Sequence, residues 1–221
     1  MTDVSTSSEA FGRAHTVEKS VYHAVINCMP PHEVYIEAFL GGGSVFLHKK
    51  PALRNVGIEF DEALVAAWRK RNYSGLEVVH GDAIELLDQW PWSKRDNTRT
   101  LVYCDPPYPA DVRRSERKMY SCELLTQEEH IKLLTTLKNL PCMVMLSGYS
   151  SPLYESQLSG WRRVHFHSKD RIWLGTPKTI WMNFPEPQEL HDDRYSRHGL
   201  RERERIKHRS REARLRRRSD L

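Results

Sequence analysis

The chain has 221 residues, of which 39% are hydrophobic and 29% are charged, a balance typical of a globular protein with one sizeable core. No stretch approaches the roughly 18 consecutive apolar residues that a membrane-spanning helix needs, and the polar N-terminus lacks the apolar centre of a signal peptide. The four widely spaced cysteines predict reduced thiols in the cytoplasm, without a disulfide or a bound metal.

The charge is distributed unevenly. The net charge is +5, but residues 191–221 alone carry +6, and the rest of the chain carries −1. A basic segment beside a nearly neutral domain predicts a polyanionic partner.

In chain order, residues 1–15 are small and polar and are predicted to be disordered. An amphipathic pattern then predicts a helix over residues 17–28, after which strands and helices alternate. Strands are predicted at residues 34–36, 55–59, 76–79, 101–104 and 142–146, with a late hairpin pair at 164–166 and 179–182. Further helices are predicted at residues 44–49, 62–71 and 126–140. This alternation predicts an α/β fold with a mostly parallel sheet, helices on both faces and all parallel strands ending at one edge.

Composition suggests three regions. After the polar N-terminus, residues 16–187 are predicted to form the folded domain, and residues 188–221 a charged tail. Residues 200–218 lack Gly and Pro and are dense in Arg and Glu, which indicates a solvated helix.

The first candidate binding segment follows the first strand and includes Phe39, Gly41, Gly42, Gly43 and Ser44. Glycines at this place let the backbone approach a ligand closely and turn into a helix. The segment is neither a phosphate loop nor a clean GxGxxG motif. A plain tight turn explains it equally well.

Acidic side chains follow the next two strands. Glu59, with Asp61 close behind, is placed to reach the two hydroxyls of a ribose. Asp82 is placed to accept from the amino group of a bound adenine. The alternatives are an exposed carboxylate for Glu59 and an N-cap for Asp82.

The fourth strand is followed by Asp105, Pro106, Pro107 and Tyr108. The prolines fix the backbone and remove two donors, so that their carbonyls can only accept. Such a corner can grip a flat ring that carries an amino group, because the carboxylate and a carbonyl accept from the amine while the tyrosine stacks on the ring. The tetrapeptide predicts a base-binding corner beside a nucleoside pocket.

These motifs together resemble the Dam-like N6-adenine-specific DNA methyltransferases, especially short phage-encoded members. Residues 39–44 are similar to the family's S-adenosylmethionine loop, residues 105–108 match its catalytic tetrapeptide, and residues 146–150 and 179–184 resemble later strand motifs. The resemblance implies a Rossmann-like methyltransferase fold with seven strands, and S-adenosylmethionine as cofactor. The family's N-terminal glycine–lysine segment is not fully matched, because its glycine pair is missing here, and Lys19 is the expected replacement for its lysine.

The resemblance also implies a reaction, methyl transfer to the exocyclic amine of a flipped-out adenine. Asp105 and the Pro106 carbonyl would accept the amino hydrogens, and Tyr108 would stack on the base. The basic residues of the following loop are predicted to contact the nucleic-acid backbone: Arg113, Arg114, Arg117 and Lys118.

Two alternatives remain open from the sequence. The same corner would serve an enzyme that methylates adenine in RNA, including ribosomal RNA. A decayed methyltransferase that binds DNA without chemistry is the other alternative. Transfer to a protein glutamine is disfavoured, because that branch typically has Asn where this chain has Asp105.

Overall fold

A computed structural model describes residues 21–93, 98–107, 126–166 and 178–196. Its centre is a sheet of seven strands: β1 (Val34–Ala38), β2 (Arg54–Glu59), β3 (Leu76–His80), β4 (Thr100–Cys104), β5 (Met143–Tyr149), β6 (Arg162–Phe166) and β7 (Lys178–Met182). The strand order is β3-β2-β1-β4-β5-β7-β6. Strands β1 to β5 run parallel to one another, and β7 lies antiparallel between β5 and β6. The predicted mostly parallel sheet and its late hairpin pair are confirmed.

The described helices are α1 (Val21–Ile26), α2 (Ser44–His48), α3 (Glu62–Arg71), α4 (Ala83–Asp88), α5 (Gln127–Asn139) and α6 (Pro152–Gln157). Helix α5 begins with a capping box formed by Thr126 and Glu129. Helix α6 was not predicted from the sequence, and helix α4 was anticipated only through the N-cap alternative for Asp82.

The helices cover both faces of the sheet because the strand residues alternate in direction. On one face Ile36 and Val102 pack with residues of α4, α5 and α6. On the other face Tyr35 and Tyr103 pack with residues of α1, α2 and α3. Strand β4 is buried along its whole length, which explains its continuous apolar run.

The predicted tail begins close to the domain. Asp192 is 3% exposed and accepts a hydrogen bond from the backbone N–H of Lys50 at 2.8 Å. His191 stacks on His32 with ring centroids 3.7 Å apart. Residues up to Ser196 are described; the predicted helix at 200–218 and the N-terminal residues 1–15 lie outside the described residues.

Among the described helices, none is long and apolar enough to cross a membrane. Cys28, Cys104 and Cys142 are buried free thiols in the described part of the chain.

Candidate active site

Four candidate segments lie at the edge where strands β1 to β4 end. Ala38, the last residue of β1, is in register with Ile58 of β2 and with Cys104 of β4. The residues that follow in each strand therefore leave the sheet at nearly the same level. With neighbouring strands about 4.8 Å apart, the backbones at Glu59 and Asp105 are roughly 10 Å from each other. The predicted cofactor segments and the predicted base corner therefore share one edge.

The loop after β1 has an unusual backbone. Phe39, Gly41 and Gly43 all have positive φ, at 62°, 48° and 61°. A Cβ at Gly43 would lie 2.6 Å from Cζ2 of Trp68, whereas one at Gly41 would meet nothing nearer than the Phe39 carbonyl oxygen at 3.9 Å. Gly43 is thus required by packing against α3, whereas an added Cβ at Gly41 would meet little, and the Gly41 carbonyl accepts a hydrogen bond from Nε1 of Trp68 at 2.8 Å.

The rest of this loop turns the chain into α2. Gly42 lies in the turn between the two positive-φ glycines, and Ser44 is the first residue of the helix. The Ser44 carbonyl accepts a hydrogen bond from Nδ1 of His48 at 2.7 Å. All five predicted loop residues therefore lie between the end of β1 and the first turn of α2.

Glu59 joins the loops that follow β1 and β2. The residue is only 6% exposed. Its Oε2 accepts from the backbone N–H of Gly41 at 2.7 Å, and its Oε1 accepts from the N–H of Asp61 at 2.8 Å. An ionised carboxylate has about four acceptor positions. Glu59 can therefore hold both loops and still accept from a ribose hydroxyl.

Asp61 and Asp82 are both N-caps. Oδ1 of Asp61 accepts from the N–H groups of Ala63 and Leu64 at the start of α3. Oδ1 of Asp82 accepts in the same way from Ile84 and Glu85 at the start of α4. The N-cap alternative for Asp82 is thereby present, and it uses one of the two carboxylate oxygens.

An aromatic residue, Phe60, lies between Glu59 and Asp61 in the sequence. Phe60 is 61% exposed, although it directly follows the buried end of β2. Its position between Glu59 and Asp61 places an apolar ring at the same edge. Phe60 was not predicted as a site residue from the sequence. The feature that could have indicated it is an aromatic residue directly after a strand and before the N-cap of a helix.

The corner after β4 is supported by buried polar side chains. Oδ1 of Asp105 accepts from Oγ of Ser147 at 2.7 Å, and Nζ of Lys178 lies 3.2 Å from both carboxylate oxygens. The Ser147 hydroxyl also shares a hydrogen bond of 2.9 Å with the Tyr103 hydroxyl. Neither Ser147 nor Lys178 was singled out from the sequence, because a single serine or lysine in a strand carries no local signal of its partner.

A second buried acid lies on the same sheet face. Glu37 of β1 is in register with Tyr103, and its Oε2 accepts from the Tyr35 hydroxyl at 2.8 Å. Burial raises the pKa of Glu37 to about 8, and the nearby charge of Asp105 adds to that rise. Burial therefore favours the neutral form of Glu37, and burial likewise raises the pKa of Tyr103 well above its usual value.

Pro106 and Pro107 are described next to Asp105. The other predicted site residues lie outside the described residues: Lys19, Tyr108, Arg113, Arg114, Arg117 and Lys118. Their predicted roles stay predictions.

Residues 81–171 match the family model of the D12 class N6 adenine-specific DNA methyltransferases. The matched segment contains Asp82 and the tetrapeptide 105–108, and the glycine loop precedes it. No curated protein matches the sequence.

Three solved structures are similar to this chain at low sequence identity. A chain from the complex of the Haloferax volcanii Trm112 methyltransferase activator is 13% identical, with a TM-score of 0.50 over 84% of this chain and 96% of that chain. Human methyltransferase-like protein 13 with S-adenosylhomocysteine is 14% identical, with a TM-score of 0.47 over 78% and 84% of the two chains. Magnesium protoporphyrin IX methyltransferase of Synechocystis with bound S-adenosylmethionine is 15% identical, with a TM-score of 0.46 over 82% and 85%.

The family match confirms the Dam-like resemblance over residues 81–171, and the sheet confirms the predicted Rossmann-like methyltransferase fold. The family uses S-adenosylmethionine, as the sequence analysis expected. Residues 81–171 are thus similar to the D12 class methyltransferases, and the described sheet has the Rossmann-like methyltransferase fold.

Proposed function

We propose that this protein methylates the exocyclic amino group of an adenine that has been flipped out of DNA. The observation that carries the proposal is the position of Asp105. It is held by Ser147 and Lys178 at the end of β4, on the same edge as the loop that Glu59 fixes. A carboxylate followed by two prolines at this place presents acceptors only, which suits an amine substrate.

The residues at the ends of β1 to β3 fit the cofactor. Glu59 would supply acceptors for ribose hydroxyls, and Gly41, which has no side chain, leaves room for a ligand beside the loop. The exposed Phe60 ring offers a face to an adenine ring, and Asp82 has a carboxylate oxygen beyond the one that caps α4. We assign Phe39, Gly42, Gly43 and Ser44 to the same site as the loop that shapes it. S-adenosylmethionine supplies an activated methyl group when it is bound there.

Asp105 and Pro106 would hold the substrate amine. The lone pair of an adenine amino nitrogen is conjugated into the ring, which makes the nitrogen a poor nucleophile. Accepting one amino hydrogen at Asp105 and the other at the Pro106 carbonyl draws the nitrogen out of the ring plane. The same two acceptors would stabilise the positive charge that develops on the nitrogen as the methyl carbon exchanges its bond to the cofactor's sulfur for one to nitrogen, before the nitrogen releases one proton.

Three parts of the proposal rest on residues outside the described ones. Tyr108 would stack on the extruded base, a contact worth about 1–3 kcal/mol and comparable to the cost of flipping. Lys19 would contact the cofactor. Arg113, Arg114, Arg117 and Lys118 would contact nucleic-acid phosphates. The matched family is described as acting on DNA, which supports DNA rather than RNA as the substrate and the cytoplasm as the location.

The test measures N6-methyladenine in matched DNA and RNA oligonucleotides after incubation with labelled cofactor, by digestion to nucleosides. We expect label in DNA adenine, and we expect Asp105→Ala to lower turnover by at least about 100-fold. The cofactor affinity of that variant, measured by calorimetry, should remain within about twofold, since Asp105 acts on the substrate amine. Asp88→Ala, an exposed aspartate at the end of α4, is the matched control and should behave as wild type.

Three outcomes would contradict the proposal. Label confined to RNA would reassign the substrate. Cofactor binding without label in either nucleic acid would favour a binding module. Asp105→Ala with more than a tenth of wild-type turnover would remove the residue from the chemistry.

A further inference from the structure

Lys178 is a buried cation at the catalytic corner. It is the first residue of β7, and the whole residue is 3% exposed. Its ammonium lies 3.2 Å from both oxygens of Asp105, and the side chains of the pair are 4% and 23% exposed. The lysine therefore approaches the carboxylate from inside the protein, and the carboxylate is the member of the pair that reaches the surface.

Ser147 supports the same carboxylate from β5. Its hydroxyl, fully buried, donates to Oδ1 of Asp105 at 2.7 Å and shares a hydrogen bond with Tyr103. Two neighbouring strands thus each place one donor beneath Asp105. A carboxylate bound by two such donors has one preferred orientation, because rotating it would break both contacts.

A second buried lysine, Lys49, provides a comparison for the ion pair between Lys178 and Asp105. Lys49 is 4% exposed, and its ammonium donates to Oδ1 of Asn55 and to the carbonyl of Lys50, both at 3.0 Å. Burial lowers the pKa of Lys49 to about 8. The hydrogen bonds of Lys49 thus go to neutral oxygens, and the nearby carboxyl groups of Glu37 and Asp192 favour its charge without a direct contact of this kind. Lys178 instead contacts the carboxylate at the end of β4, and buried ion pairs are poor stabilisers compared with apolar packing.

We propose that Lys178 is a positioning residue for methyl transfer, an inference that rests on the proposed function. With Ser147 it fixes the orientation of the Asp105 carboxylate toward the substrate amine. Its positive charge also balances the carboxylate, so that the corner can hold a neutral amino group without presenting an unpaired buried charge.

The kinetic test compares Lys178→Met with Lys49→Met, which removes an equally buried ammonium away from Asp105. We expect Lys178→Met to lower kcat by about 100-fold, the effect of misplacing a group by about 1 Å. The KM for DNA should change far less, because the interaction matters mainly in the transition state. Lys49→Met should keep kcat within about twofold for the folded fraction.

Two further variants separate position from charge. Lys178→Arg retains a cation that can bond both oxygens, so it should keep more activity than Lys178→Met. The double variant Ser147→Ala/Lys178→Met should be nearly as active as Lys178→Met alone, since both residues act through one carboxylate.

A double-mutant cycle in unfolding stability tests the contact between Lys178 and Asp105 without an activity measurement. Asp105→Asn leaves a buried ammonium without its carboxylate and should lower the midpoint of urea unfolding. Adding Lys178→Met to Asp105→Asn should raise that midpoint again. A midpoint that falls further would show that the two charges are not coupled and would overturn the inference.

The outcomes distinguish this inference from the proposed function. Absence of adenine methylation by the wild-type protein rejects the proposed function, and the catalytic role of Lys178 with it. An active wild-type protein whose Lys178→Met variant keeps kcat within about twofold rejects the inference alone. An equal loss of kcat in Lys49→Met and Lys178→Met would make the effect one of buried charge in general, which also rejects it.

Discussion

Two carboxylates on the same sheet edge are held in different ways. Glu59, at the end of β2, is held by backbone N–H groups of Gly41 and Asp61. Asp105, after β4, is held by side chains of Ser147 and Lys178, which are 42 and 73 residues away in sequence. Backbone donors depend only on the path of a loop. Side-chain donors require particular residues on distant strands, so the corner at Asp105 is the more demanding of the two to specify.

The largest effect on stability is expected from Gly43→Ala, in the loop between β1 and α2. A Cβ there would lie 2.6 Å from buried Trp68, at a φ of 61°. Overpacking costs about 1–3 kcal/mol, and the left-handed conformation adds about 1–2 kcal/mol. We expect a loss near 3–4 kcal/mol in urea unfolding.

Gly41→Ala is the control for that prediction. It also has positive φ, but its Cβ would meet nothing closer than 3.9 Å. We expect only the conformational part, about 1–2 kcal/mol, together with weaker cofactor binding. Equal losses in the two variants would show that Trp68 does not constrain the loop.

Glu59→Gln tests the backbone-held carboxylate directly. The amide nitrogen of Gln would face one of the two backbone N–H groups, so one hydrogen bond would be lost and a donor left unpaired. We expect a loss of about 1–3 kcal/mol in unfolding free energy and weaker cofactor binding by calorimetry. A variant with wild-type stability would mean that the Gly41 and Asp61 loops do not depend on Glu59.

A pH titration of unfolding tests a third contribution to stability, which comes from the stacked histidines His32 and His191 rather than from either carboxylate. Burial lowers the pKa of His32 to about 3 and lowers that of its stacking partner His191, beside Lys49 and Lys50. Because the unfolded chain binds these protons near pH 6.5 and the folded chain does not, stability is present above about pH 6.5 and is lost as pH falls toward 3. We expect a loss on the order of 1–2 kcal/mol from pH 7 to 5.

His32→Asn is the matched variant for that titration. Its side-chain amide can still donate to the Pro30 carbonyl, as Nδ1 of His32 does at 2.8 Å, but it does not titrate. The slope of stability against pH should flatten in this variant. An unchanged slope would assign the acid sensitivity to other groups.

The smallest effect is expected at Asp82. Asp82→Ala should lose the N-cap of α4 and about 1 kcal/mol. Asp82→Asn should keep that stability, since Asn caps equally well. If the second carboxylate oxygen accepts from the cofactor's amino group, Asp82→Asn will weaken cofactor binding while leaving unfolding unchanged. If Asp82→Asn binds the cofactor with wild-type affinity, Asp82 acts only as the N-cap of α4.

Local patterns in the sequence were sufficient for much of the fold. The apolar run at 101–104 predicts a strand because a central parallel strand is buried on both faces, and β4 is buried throughout. Thr126 and Glu129 predict the start of α5 because a capping box is made within four residues. The short helix α6 was not predicted from the sequence.

The sequence by itself determined the alternation of strands and helices, and the placement of Asp105, Glu59 and Asp82 at strand ends, because these depend on periodicity and local turn chemistry. Only the tertiary structure decided what each carboxylate contacts. Asp105 meets Lys178 because β7 runs antiparallel beside β5. Gly43 is limited by Trp68 from another helix. Such contacts join residues far apart in the chain, and no local pattern of residues encodes them.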